Sequence, residues 1–136
     1  MKRNLNIEEI EKVFDKVGLQ ATAQRIAIYK YLYEEPKHVT VDEIKEWTDK
    51  NFPKLSLATV YNTINSLLEH GLIKFVKLNN SDKVIYDSNT SKHYHFFDKE
   101  KNQLKDIDID ISYIENQLKE KYNISDISLV VYGTEK

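Results

Sequence analysis

The sequence contains no cysteine, which excludes disulfide bonds, thiolate metal sites and cysteine nucleophiles. It also lacks an apolar run of membrane-spanning length and a signal-peptide pattern, so we expect a cytoplasmic protein with no membrane partner. No internal repeat or low-complexity segment is visible. With 136 residues, 40% hydrophobic and 31% charged, the chain has the composition of a soluble globular protein of one domain or two small ones.

A net positive charge is missing as well. The formal net charge is −2, and residues 1–90 are neutral with 13 basic and 13 acidic side chains. Proteins that bind nucleic acid often carry a basic excess. Any DNA affinity would therefore need locally placed cations, or a bound divalent cation that neutralises carboxylates.

The first part of the chain has the pattern of a winged helix-turn-helix. Capping residues and apolar periodicity predict helices, and a β-hairpin follows around a polar turn at residues 79–82. The predicted helices are Asn6–Val17, Thr22–Tyr33, a third that begins at Thr40 and ends before Pro53, and Ser56–His70. The predicted strands are Leu72–Leu78 and Val84–Tyr86. The apolar side of the fourth helix is expected at Leu57, Val60, Ile64, Leu67 and Leu68.

The helix that begins at Ser56 is the candidate DNA reader, because small polar side chains on its outer face can bind base edges in the major groove. Cationic side chains elsewhere can bind phosphates. A helix with a merely solvated outer face has the same pattern. The candidate DNA-binding residues are Arg25, Ser56, Thr59, Tyr61, Asn62, Thr63 and Lys77.

The second part, residues 93–136, is short, and its pattern predicts two strands, a helix and a third strand in that order. The polar stretch 88–92 is a candidate hinge. The predicted elements after it are the strands His93–Phe97 and Gln103–Ile107, the helix Ile111–Tyr122 and the strand Ile124–Tyr132. A domain of this size rarely stabilises itself alone, so we expect a homodimer that pools two small sheets.

His93 and His95 would point to the same face of a strand, because side chains alternate along it. Asp87 and Asp106 lie near in sequence, and His38 could reach the same place from the first part. Nitrogen and oxygen donors without sulfur suit Fe(II), Mn(II) or Zn(II). Ordinary surface or core histidines would give the same His-x-His spacing.

Four motifs in fixed order make the chain resemble the Fur family of metal-dependent repressors over nearly its whole length. They are Thr22-Ala-Gln-Arg25, Ser56-Leu-Ala-Thr-Val-Tyr-Asn62, Gly71-Leu-Ile73 and His93-Tyr-His95. The resemblance implies an α+β fold with a winged-helix DNA-binding domain at 1–87, a hinge at 88–92 and a small α/β dimerisation domain at 93–136. It also implies a transcription regulator, not an enzyme, acting as a homodimer on a palindromic DNA operator.

The regulatory ligands implied by the resemblance are His38, Asp87, His93, His95 and Asp106, one site per subunit for Fe(II) or Mn(II), with Zn(II) as a substitute. Asp at position 106 is typical of the peroxide regulators (PerR), whereas the iron-uptake regulators typically have Glu. A PerR-like protein would sense peroxide through Fe(II)-catalysed oxidation of a ligand histidine, by analogy His38 or His93.

Two departures from the family pattern matter. Asp98 and Lys101 stand at the first of the two Cys-x-x-Cys pairs that hold a structural zinc in most members, and the second pair is missing, so no structural zinc is expected. Tyr94 replaces an Asp that, in Fur proteins, often helps build a further metal site.

Three other functions remain open. An iron- or manganese-responsive repressor without peroxide chemistry shares every motif, and only Asp106 counts against it. A non-haem iron enzyme also uses two histidines and a carboxylate, but it would need a substrate pocket. A DNA-binding protein that needs no metal is the third.

Overall fold

The computed structural model describes residues 4–34, 38–79 and 81–136, and these residues form five α-helices and six β-strands. This mixture confirms the predicted α+β class. In chain order the elements are α1 Ile7–Val17, α2 Ala23–Glu34, β1 His38–Thr40, α3 Val41–Asn51, α4 Leu57–Glu69, β2 Lys74–Lys77, β3 Val84–Asp87, β4 Tyr94–Asp98, β5 Gln103–Ile107, α5 Ser112–Lys119 and β6 Val130–Gly133.

The chain divides into two compact units, Met1–Thr90 and Ser91–Lys136. The assignment of DNA binding, hinge and dimerisation to 1–87, 88–92 and 93–136 stays a prediction. Among the described residues, no helix is both long and apolar enough to span a membrane.

The helices of the first unit begin where their capping residues predict. At α1 the Asn6 side chain accepts the backbone N–H of Glu9 at 2.8 Å, and the Glu9 carboxylate accepts that of Asn6. Thr40 and Glu43 form the same capping box at α3. Helices α1–α4 enclose a core whose fully buried members are Ile10, Phe14, Ile28, Ile44, Val60, Ile64 and Leu67.

The inner face of α4 differs from the prediction at two positions. Leu57, predicted inside, is 46% exposed because it opens the helix beyond the edge of the core. Thr63, predicted outside, is 5% exposed, and its hydroxyl donates to the Thr59 carbonyl at 2.9 Å. Thr63 lies three residues after Val60 and four before Leu67, which places it on the same helical face.

A three-stranded sheet of order β1-β3-β2 completes the first unit. Both neighbours run antiparallel to β3, and Asp87 at the end of β3 is paired with His38 on one side and with Lys74 on the other. The strands β2 and β3 are the predicted hairpin; Asn80, in its predicted turn, lies outside the described residues. The sheet therefore brings together residues 49 positions apart in the sequence, His38 and Asp87.

The second unit contains a sheet of order β5-β4-β6, in which β4 pairs antiparallel with β5 and parallel with β6. The strand predicted over Ile124–Tyr132 is reduced to β6, because its partner β4 begins only at Tyr94 and is in register with Val130–Gly133. Helix α5 is shorter than predicted, and none of its residues is buried.

Candidate metal centre and nucleic-acid interface

In the first unit, His38 and Asp87 form a pair of potential metal ligands. The two residues are directly opposite on β1 and β3, and His38 Nε2 lies 3.4 Å from Asp87 Oδ2. Asp87 is only 1% exposed, and its other oxygen, Oδ1, accepts the backbone N–H of Asn89 at 2.9 Å. This hydrogen bond fixes the carboxylate and leaves Oδ2 directed at the imidazole.

In the second unit, His93, His95 and Asp106 lie together. His95 on β4 is paired with Asp106 on β5, and Asp106 Oδ1 lies 3.3 Å from His95 Nε2 and 3.6 Å from His93 Nε2. The imidazole rings meet edge to face, with centroids 4.5 Å apart. One potential ligand atom of each residue lies within 4.8 Å of the others.

The ring of His93 is oriented by the backbone. Its Nδ1 lies 2.6 Å from the carbonyl oxygen of Ser91. A carbonyl only accepts, so Nδ1 donates this hydrogen bond, and Nε2 is the ring nitrogen that faces Asp106. Hydrogen bonds of this kind from metal-ligating histidines fix the tautomer and the ring orientation.

The donors of both sets fit a first-row divalent cation. They are imidazole nitrogens and carboxylate oxygens, a combination that suits Fe(II), Mn(II) and Zn(II). A carboxylate oxygen lies about 3.5 Å from each imidazole nitrogen that faces it. This spacing is longer than a strong hydrogen bond and leaves an ion room to contact both atoms at about 2.0–2.2 Å.

Most of the predicted DNA-binding residues lie on the surface of the first unit. Ser56 caps α4 by accepting the N–H of Thr59 at 3.1 Å, and Tyr61 is 41% exposed. Asn62 and Lys77 are exposed, whereas Thr63 faces the core. The Arg25 guanidinium is held near the start of α2, where Nη1 donates to the Gln20 carbonyl at 2.9 Å.

The model of the ferric uptake regulator family matches residues 16–132. This chain belongs to the ferric uptake regulator (Fur) family. The match extends across both compact units and confirms the resemblance that the four motifs indicated.

Relatives of this Fur-family chain include the peroxide-responsive repressor PerR of Staphylococcus epidermidis, 36% identical over 89 residues. These residues are 65% of this chain and 59% of that protein, so the chain spans less than two thirds of the curated relative. The Campylobacter jejuni peroxide stress regulator has a TM-score of 0.70 at 25% identity and covers 97% of both chains.

A third similar protein is the ferric uptake regulator from Francisella tularensis with iron, with a TM-score of 0.73 at 26% identity. The similarity covers 88% of this chain and 93% of that one. These likenesses confirm the predicted fold. The three proteins are named as regulators or repressors, in agreement with the prediction that the Fur-family chain is not an enzyme.

Asp98 and Lys101, which stand where most family members have the first cysteine pair, lie at the turn after β4. Asp98 at the end of β4 is 1% exposed, and its Oδ1 accepts the backbone N–H groups of Glu100 at 2.9 Å and of Lys101 at 3.0 Å. The carboxylate therefore helps to hold the turn between β4 and β5. A turn with this carboxylate and a lysine, in a chain without cysteine, does not fit a thiolate zinc site.

Two contacts of this Fur-family chain were not expected from the sequence. The Ser91 carbonyl that orients His93 is a backbone group, so no side-chain pattern reports it. Lys92 Nζ lies 2.5 Å from Glu115 Oε2 on α5, across 23 positions of sequence. Only folding brings these two side chains together.

Proposed function

We propose that this chain is a metal-dependent DNA-binding transcriptional repressor that acts as a homodimer in the cytoplasm. In this proposal residues 1–87 bind DNA, 88–92 form a hinge and 93–136 form the dimer contact. One Fe(II) or Mn(II) ion per subunit is held by His38, Asp87, His93, His95 and Asp106, Zn(II) can substitute for it, and no structural zinc is present.

The observation that carries the proposal is the pairing of potential ligands on both sides of the segment 88–92. His38 and Asp87 are paired in the first sheet, His95 and Asp106 are paired in the second, and His93 directly precedes β4. His93 follows Asp87 by six positions, a span of at most about 20 Å when fully extended. This short tether supports a single ion that takes ligands from both sets.

The proposed DNA contact is made by α4 in the major groove. Ser56, Thr59, Tyr61 and Asn62 would face base edges or the adjacent backbone, and Arg25 and Lys77 would contact phosphates. Thr63 is left out because it is buried and its hydroxyl donates to the Thr59 carbonyl. In a twofold dimer two copies of α4 would read the two halves of a palindromic operator.

The proposed dimer contact is formed by the second unit, where apolar side chains are exposed. Tyr113, Ile114 and Tyr122 are 75%, 55% and 61% exposed. Burial of apolar surface is the main favourable term in protein association. A second copy of this unit would cover these side chains. Apolar packing, and not a structural zinc, would then stabilise the dimer.

The ligands of the proposed site also supply its sensitivity to peroxide. When bound, Fe(II) supplies the electrons that activate peroxide, and Mn(II) does not. By analogy with the family, the ligand that would be oxidised is His38 or His93, whose side chains are 15% and 14% exposed. In this proposal one peroxide oxygen would insert into the C–H bond between the two ring nitrogens, a two-electron oxidation of the ring by peroxide, and the other oxygen would leave as water.

The oxidised ring carries hydrogen on both nitrogens and has lost the lone pair that Nε2 offered. A subunit with four intact ligands in place of five would then hold its ion weakly. Release of the ion would remove the link between the two ligand sets, and the repressor would leave its operator.

Peptide mass spectrometry with Fe(II) or Mn(II), before and after dilute peroxide, tests the proposal. We expect one added oxygen on the His38 or His93 peptide with Fe(II) only, together with loss of operator binding. The His70 peptide serves as the control, since this histidine caps α4 outside both ligand sets. Metal-dependent operator binding without any added oxygen would indicate the iron- or manganese-responsive repressor, and chelator-insensitive binding would contradict both.

A further inference from the structure

A cavity of about 600 Å³ lies between the start of α2 and the turn that joins α3 to α4. The residues of its wall include Ala23, Gln24, Phe52, Pro53, Lys54 and Leu55. Phe52 and Leu55 are half-buried, and the other four are exposed. Volumes of about 300–1,000 Å³ with mainly apolar walls are typical of sites for small organic molecules. The size and the lining of this cavity therefore suit a small ligand.

Helix α2 carries apolar side chains on two sides. The side that is buried in the core consists of Ile28, Tyr29 and Leu32. Ala23, Ala27 and Tyr31 follow one another at intervals of four positions and so share another side. They line this cavity or a neighbouring one of about 310 Å³. A surface helix ordinarily has one apolar stripe, so the second apolar side of α2 is a surface that an apolar ligand would cover.

Three aromatic rings form a row that ends at the wall of the cavity. Tyr31 and Trp47 are stacked with ring centroids 4.6 Å apart, and the Phe52 ring lies 6.1 Å from that of Trp47. Phe52 lines both cavities. Aromatic rings pair favourably at centroid distances of about 4.5–7 Å, so a further ring placed against Phe52 would extend the row. This arrangement favours an aromatic ligand over an aliphatic one.

Both walls of the cavity are held by hydrogen bonds within their own turns. The backbone N–H of Leu55 donates to the Phe52 carbonyl at 3.0 Å, and that of Phe52 donates to the Thr48 carbonyl at 2.6 Å. At the start of α2 the N–H of Arg25 donates to the Thr22 hydroxyl at 3.2 Å. The cavity is therefore formed in the absence of a ligand, and binding requires little further ordering of the chain.

Lys54 determines the charge of the ligand that the cavity suits. Among the described residues that line it, Lys54 alone is charged. Its ammonium group would attract an anion and repel a cation, and the amide of Gln24 can donate a hydrogen bond to a carboxylate oxygen. An aromatic ring that carries a carboxylate matches both the apolar wall and the lysine.

We propose that this cavity binds a small aromatic carboxylate, with its ring against Phe52 and Leu55 and its carboxylate at Lys54. None of the five proposed metal ligands is among the residues that line the cavity. The site is therefore separate from the metal centre, and ligand binding does not depend on the proposed function.

A ligand in this cavity would lie beside two residues that the proposed function assigns to DNA. Gln24 directly precedes Arg25, and Leu55 directly precedes Ser56. We therefore expect the aromatic carboxylate to compete with operator DNA. This competition rests on the proposed function, whereas the binding site itself does not.

Benzoate, benzamide and benzylamine are the probes, because they share one ring and differ in charge. Each is titrated into the full chain while the backbone amide chemical shifts are followed by NMR. We expect benzoate to bind most tightly and to shift the amides of the residues that line the cavity. The indole N–H of Trp47 is a second reporter, since the chain has a single tryptophan.

Two pairs of variants test the charge and the shape of the site. Lys54→Gln should weaken benzoate binding by about fivefold, the upper end of what an exposed ion pair contributes, and bring it to the level of benzamide. Lys50→Gln, at an exposed lysine of α3 outside the cavity, is its control and should have no effect. Ala23→Phe should fill the cavity and abolish binding of benzoate and benzamide. Ala21→Phe, at an exposed alanine outside this cavity, should leave binding as it is in the native chain.

Equal affinity for benzoate and benzylamine, or benzoate binding that survives Ala23→Phe, would overturn the proposal. Shifts of the same amides by operator DNA but not by benzoate would assign the cavity to DNA and would overturn it as well. A native chain that binds benzoate but no operator with Mn(II) would leave the ligand site standing and contradict the repressor function. Benzoate that lowers operator affinity in the native chain, and not in Ala23→Phe, would support the expected competition.

Discussion

Asp87 shows at the residue scale how a single carboxylate can serve both fold and site. One oxygen accepts the Asn89 N–H, and the other faces His38 at 3.4 Å. The side chain is almost fully buried, where an unpaired carboxylate is unfavourable. A cation bound between Asp87 and His38 would compensate for that burial.

Replacing Asp87 by Asn separates these two roles. The amide oxygen can still accept the Asn89 N–H, so we expect the unfolding temperature to change little. The loss of the negative charge should weaken Mn(II) binding about tenfold or more, which is about 1.4 kcal/mol, as measured by calorimetric titration.

Asp108→Asn is the matched control, because Asp108 is an exposed acidic residue outside both ligand sets. The Asp108→Asn variant should bind Mn(II) with the same affinity as the native chain. Equal losses of affinity in the two variants would mean that overall charge, and not ligation, controls binding.

At the scale of single elements, we propose that α4 contacts bases and that Lys77 on β2 contacts the DNA backbone. Asn62→Ala should weaken operator binding by about 1–3 kcal/mol while leaving nonspecific DNA binding almost unchanged. Lys77→Ala, on β2, should weaken binding to all sequences and reduce the salt dependence by about one ion. Fluorescence anisotropy at several salt concentrations distinguishes the two variants. Identical effects of both would contradict a base contact by Asn62 and a phosphate contact by Lys77.

The helix α5 has no buried residue, although its sequence has an apolar stripe. Ile114→Asp should disrupt the proposed dimer, so that light scattering reports 16.1 kDa, the mass of one chain, in place of twice that mass. Phe75→Asp is a control of similar exposure, 57% against 55%, on the first unit. A dimer that survives Ile114→Asp would show that another surface forms the contact.

At the scale of the whole molecule, metal and DNA binding are expected to be coupled through residues 88–92. Coupling between two binding sites is reciprocal, so operator DNA should tighten Mn(II) binding by the factor by which Mn(II) tightens DNA binding. A factor of about 5–150 is typical, equivalent to about 1–3 kcal/mol. Titrations of each ligand with and without the other measure both factors, and a factor of one would leave the metal no regulatory role.

Local features of the sequence were enough to predict most of the elements. Asn6 with Glu9 and Thr40 with Glu43 are capping pairs three residues apart, and such pairs depend on almost nothing outside their own turn. The side-by-side histidines of β4 follow from the two-residue period of a strand. The absence of cysteine excluded a thiolate site in advance.

The sequence by itself therefore determined the starts of the four helices of the first unit, the capping boxes at Asn6 and Thr40, the donor types and the family. Tertiary structure decided which distant residues meet: His38 with Asp87 across β1 and β3, Lys92 with Glu115, and Thr63 with the core. It also limited β6 to Val130–Gly133, the residues that pair with β4. The physical reason is that caps and periodicity act within a few residues, whereas strand pairing, burial and ion pairs depend on neighbours that only the folded chain supplies.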